Sequence, residues 1–110
     1  MSMSRLALVL LLPFLLAAPA NAQTIDDLKG KFGFNWATNP SREKCVKVEG
    51  KLLADFKSAN YKCDLTVITN TASGAPARVC TLVKGKKKEY LIFDTQRACN
   101  EERKTQASNS

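Results

Sequence analysis

The 110-residue sequence contains no histidine, so the side chain that most readily exchanges protons near neutral pH is missing. There is no Cys-x-x-Cys pair either. That removes thioredoxin-like redox chemistry and the closely spaced ligand pairs usual in zinc sites. No metal or cofactor site is expected. Asn39 is followed by Pro40, and no other asparagine begins a glycosylation acceptor. No cysteine sits where a lipoprotein would be cleaved, and no twin arginine marks the folded-export route. Apart from one segment at the start, no long apolar run exists. Aromatic residues are few, at 7%. Nucleic-acid modules interleave aromatics or arginines with a basic face, a pattern missing here, so specific nucleic-acid binding is not expected.

The exceptional apolar segment has the build of a secretory leader. Met1 to Ala22 carry one early charge, Arg5, an apolar run from Leu6 to Ala18 interrupted by Pro13, and Ala20-Asn21-Ala22 as a small-x-small cleavage site. A membrane-spanning helix needs roughly 20 apolar residues, so this run is read as cleavable, with Gln23 as the first mature residue. Without Arg5, 16 basic side chains face 10 acidic ones, a net charge of +6. The expected location is the periplasm or outside the cell, with a bacterial envelope favoured.

The remaining 88 residues suffice for one domain, expected over 23–104 with 105–110 as a disordered tail. A core of that size yields little net stability without covalent staples. Cys45, Cys63, Cys80 and Cys99 supply them. In an exported chain these four read as two disulfides, for which three connectivities are open.

Along the chain, Phe32-Gly33-Phe34-Asn35-Trp36 alternates aromatics at period two and reads as extended, its rings expected to close the core over the following helix. Asn39-Pro40-Ser41 is a helix-start signature, and Cys45, Val48, Leu52 and Phe56 recur at helical steps, so an amphipathic helix is expected from Ser41 to about Ala59. Gly50 weakens that expectation. Strands are expected over 61–69, 77–83 and 89–94, and helical spacing returns over 95–104.

The predicted fold is therefore α+β: an N-terminal amphipathic helix on a three-stranded antiparallel meander, with a short C-terminal helix and two disulfides. If Cys63 faces Cys80 in the first hairpin, Tyr61 faces Leu82 and Leu65 faces Arg78 across a loop at Asn70 to Ser73. Cys45, early in the helix, then meets Cys99 at the far end of the sheet. Pairing in sequence order is the main rival.

No catalytic residues are predicted. Asp26-Asp27 lie in a loose start and Glu101-Glu102 on a helix surface, and neither pair has the burial that raises a carboxyl pKa. The densest charge is Lys84, Lys86, Lys87 and Lys88 around Gly85, with Lys57, Lys62 and Arg78 expected to add to one side. This turn is the candidate binding site, for an acidic protein or an anionic envelope polymer. The expected function is thus a non-enzymatic exported interaction module. Two alternatives are a small envelope hydrolase or transferase using carboxylates or lysine, and a structural envelope protein.

Overall fold

The computed structural model describes residues 23–109, and the expected leader lies outside the described residues. A 3-10 turn, Ile25–Leu28, leads into β1 (Phe32–Asn35), a second 3-10 turn (Pro40–Arg42) and β2 (Val46–Lys47). Helix α1 (Gly50–Lys57), strands β3 (Tyr61–Ile68), β4 (Ala77–Leu82) and β5 (Glu89–Phe93), and helix α2 (Gln96–Asn109) follow. The strands form one sheet in the order β2-β1-β5-β4-β3, every neighbouring pair antiparallel.

The α+β class stands, but the sheet has five strands, not three. The reason lies in β5, where Leu91, Ile92 and Phe93 are all buried. A buried strand must pair its peptide groups on both edges. β4 serves one edge and β1 the other, with Phe34 opposite Leu91 and Phe32 opposite Phe93. Gly33 lies opposite Ile92 and has no room for a side chain: a Cβ there would stand 3.0 Å from both Ile92 Cγ1 and the Leu91 carbonyl oxygen.

The helix expected over 41–59 is also corrected. Asn39 does cap the chain, its Oδ1 accepting from Ser41 N at 3.1 Å, but only for a three-residue 3-10 turn. Glu43 is already extended, and Val46 and Lys47 pair with Gly33 and Phe32. Gly50, at φ +52°, allows the turn from which α1 starts, a backbone that other residues adopt at a cost. Cys45 and Val48 look like one apolar stripe by spacing, yet they join different cores.

Those cores lie on the two faces of the sheet. On one face, Leu28, Val48, Leu53, Phe56, Cys80 and Ile92 are buried together. Phe56, Tyr61 and Tyr90 meet there edge to face, the Phe56 ring 5.2 and 5.3 Å from the two tyrosine rings. On the other, Phe34, Ala77, Leu91 and Phe93 cluster with Cys99 of α2. Each fully buried large side chain adds about 1.5–3 kcal/mol of transfer free energy. Thr95 caps the start of helix α2, its Oγ1 accepting from Ala98 N at 3.1 Å. The helix continues through Asn109, so residues 105–109, expected to be a loose tail, are its last turns.

Cys63 and Cys80 stand directly opposite in β3 and β4 and are disulfide-bonded, with Tyr61 opposite Leu82. Beyond Asp64 the register shifts. Leu65 therefore does not face Arg78 in the ladder. Instead, Arg78 Nε donates to the Leu65 carbonyl at 3.0 Å, Asp64 Oδ1 accepts from Thr66 N, and Ile68 pairs with Ala77. The connection from β3 to β4 is thus residues 69–76, longer than the expected loop. The second disulfide, Cys45–Cys99, ties the segment before β2 to α2 across 54 residues of sequence.

In the chain-entropy model the longer closed loop contributes about 4 kcal/mol and the shorter about 3. Replacing Cys45 and Cys99 together by serine should lower the thermal melting temperature more than replacing Cys63 and Cys80 together, as read by far-ultraviolet circular dichroism.

Candidate functional site

The β4–β5 hairpin is closed by Leu82 N donating to the Lys88 carbonyl at 2.9 Å, and Gly85 supplies the left-handed residue, φ +96°, that the turn needs. Lys84, Lys86, Lys87 and Lys88 are all exposed on this tip. None of them takes part in an ion pair or side-chain hydrogen bond among the described residues. Other cations are engaged: Lys31 with Asp94 at 2.8 Å, Lys51 with Asp55 at 3.3 Å, Lys57 with Asp26, and Arg78 with Asp94 at 3.8 Å. Lys57 and Arg78, expected to extend the basic side, are therefore paired with exposed carboxylates of the same chain, Asp26 and Asp94. Lys62 is exposed on β3.

A second feature has no signal in the sequence. Helix α2 covers only part of its face of the sheet, and a cleft of about 570 Å³ opens between the helix, the sheet and the 69–76 connection. Trp36, Ile68, Val79 and Leu91 give it an apolar lining, and Glu89 and Glu102 bring carboxylates. Of the three aromatics expected to close the core, Phe34 is fully buried and Phe32 is half-buried, whereas Trp36 remains 41% exposed at this cleft.

Glu102, expected on a helix surface, is instead fully buried. Its Oε2 accepts from Ala72 N at 3.0 Å and from Gln106 Nε2 at 2.7 Å, and its Oε1 accepts from Ser73 N at 2.8 Å and Ser73 Oγ at 2.6 Å. Burial works to raise its pKa, but the hydrogen bonds from Gln106, Ser73 and Ala72 outweigh it and hold the carboxyl below the ordinary glutamate value. The charge is there to pin the 69–76 connection against α2. No short-range pattern announces this, because the partners are backbone amides 29 and 30 residues away.

For acid–base chemistry near neutral pH, a lowered carboxyl pKa is the wrong direction. Glu89 is held by Thr81, whose Oγ1 donates to Oε2 at 2.7 Å. Asp26 pairs with Lys57, and Asp27 Oδ2 accepts from Thr24 N at 3.0 Å. The phenols are no better placed as bases. Burial, then the charge of Asp55, raises the pKa of Tyr61, while burial, Tyr61, Glu43 and Asp55 raise that of Tyr90. Among the described residues, no three His, Cys, Asp or Glu side chains gather closely enough to hold a metal ion. No helix among them is long and apolar enough to cross a membrane.

No protein-family model, curated protein or solved structure matches the chain.

Because the folded pKa of Glu102 lies below its unfolded value, its stabilisation is complete above the ordinary glutamate range and is lost as pH falls through the folded pKa. Glu102→Gln should cost about 2 kcal/mol at pH 7, where it replaces charge-assisted hydrogen bonds. In denaturant titrations the gap between wild type and variant should narrow as pH falls below 4.5, the ordinary value for the group.

Proposed function

We propose that the protein is a non-enzymatic, periplasmic or secreted interaction module that binds an acidic protein or an anionic envelope polymer through the β4–β5 turn. The observation that carries this reading is the set of four exposed lysines, Lys84, Lys86, Lys87 and Lys88, without carboxylate partners among the described residues. Nearby positive charges repel one another, so a cluster left unneutralised by its own chain gains free energy from any polyanion that approaches. Lysine ammoniums are point charges without the fixed fork of arginine. Such a tip favours charge density over one stereospecific ligand.

The framework supports the same reading. The hairpin bearing the tip is joined to β3 by the Cys63–Cys80 bond, so the lysines project from a braced base. Two disulfides with no free cysteine fit an oxidising compartment. The carboxylate-hydrolase reading draws on Glu89 and Glu102 sharing a cleft. It is weakened by the lowered pKa of Glu102, whose oxygens are already occupied by four donors.

Replacing Lys86, Lys87 and Lys88 together by glutamate should abolish binding to lipoteichoic acid and lipopolysaccharide in a surface-adsorption assay, while the thermal melt stays nearly unchanged. Wild-type binding should weaken steadily with added salt, as screening shortens the reach of exposed charges to about 8 Å at physiological ionic strength. Undiminished binding by the triple variant overturns the assignment of this surface.

A further inference from the structure

The sheet ends at β3, and among the described residues no strand pairs with its outer edge. The hydrogen bonds at the start of the hairpin define which peptide groups face outward. Val83 N donates to the Asn60 carbonyl, and the ladder alternates from there, so Lys62 and Asp64 direct their peptide groups to β4 while Tyr61 and Cys63 direct theirs away. The Leu65 N–H, which follows the inward Asp64 carbonyl, also points away. Two of these outward groups are already satisfied: Tyr61 N donates to the Ser58 carbonyl, and the Leu65 carbonyl accepts from Arg78. The Cys63 N–H and carbonyl, the Tyr61 carbonyl and the Leu65 N–H remain.

We propose that β3 pairs antiparallel with β3 of a second copy of this chain, about a two-fold axis through Cys63. In that register each Cys63 N–H donates to the Cys63 carbonyl of the second copy. Each Leu65 N–H donates to the Tyr61 carbonyl of the second copy. The two groups that would otherwise bond each other, Tyr61 N–H and the Leu65 carbonyl, are the ones satisfied internally. The pairing therefore leaves no group on this stretch competing for a partner.

Side-chain charge selects the same register. Lys62 and Asp64 are both exposed and project to the same face. With the axis at Cys63, each Lys62 stands opposite an Asp64 of the second copy, at the closely spaced, non-hydrogen-bonded positions where side chains interact most. Moving the axis to Lys62 sets lysine against lysine, and moving it to Asp64 sets aspartate against aspartate. An edge guarded by one sign of charge repels its own copy at every register. This one repels at the neighbouring registers and attracts at one.

The test is sedimentation velocity over a concentration series with the oxidised protein. Wild type should show a concentration-dependent monomer–dimer equilibrium. Lys62→Asp and Asp64→Lys should each weaken association about tenfold or more, because each turns both cross-strand pairs into like-charge pairs. An equimolar mixture of the two variants should recover association, since the aspartate introduced at position 62 of one chain then meets the lysine introduced at position 64 of the other. Asp64→Lys also removes the acceptor for Thr66 N, so recovery in the mixture shows at once that both variants are folded and that the pairing is the one described. A wild type that stays monomeric to its solubility limit overturns the proposal. So does a dimer indifferent to either substitution, or a mixture that does not associate.

Discussion

The burial of β5 on both faces and along both edges is the constraint on which the rest of this small molecule depends. Leu91 and Phe93 point to one core and Ile92 to the other, so a single strand needs cover from above and below. Here, α1 and the Ile25–Leu28 turn cover one face, and α2 covers the other. The chain before α1 is drawn in to complete the sheet. Each resulting core is thin, which is the setting in which covalent staples contribute most relative to packing. Cys45–Cys99 joins an early segment to the last helix within one of these cores.

The same economy governs the charges. Asp26, Asp55 and Asp94 each hold a lysine or arginine. The Lys31 hydrogen bond, opposed by partial burial and aided by the charges of Lys31 and Arg78, keeps the Asp94 carboxyl below its usual range. Glu102 is committed to the 69–76 connection. With so many carboxylates serving the fold, the positive excess is left at the surface, most densely at the β4–β5 tip. The unpaired basic tip and the ion-paired surface elsewhere are two sides of one distribution of charge.

Much of the sheet is legible in the sequence because its signals are local. Tyr61, Cys63 and Leu65 alternate with polar residues, and Lys84-Gly85-Lys86 marks a tight turn. The hairpin and the position of Cys63 opposite Cys80 follow from these. Within the expected helix 41–59, residues 50–57 are helical, but residues 41–49 mislead for a physical reason. Spacings of three and four suit a helix, but they also suit a chain that passes from one sheet face to the other, as it does between Cys45 and Val48. The β-branched Val46 and Val48 and the helix-weakening Gly50 are faint local warnings, and only pairing with β1 makes them decisive. The cleft is hidden for a different reason. It exists because α2 leaves part of the sheet uncovered and Glu102 holds a distant connection in place, and neither fact has a short-range pattern.

The chain has one tryptophan, and the fold sets it at the mouth of that cleft rather than in either core. Indole emission shifts to the blue when water around the ring is displaced. The molecule thus carries a built-in optical reporter on a region remote in sequence from its lysine-rich turn, sensitive to whatever enters the space beside Trp36 and to any loosening of the wall that Glu102 secures.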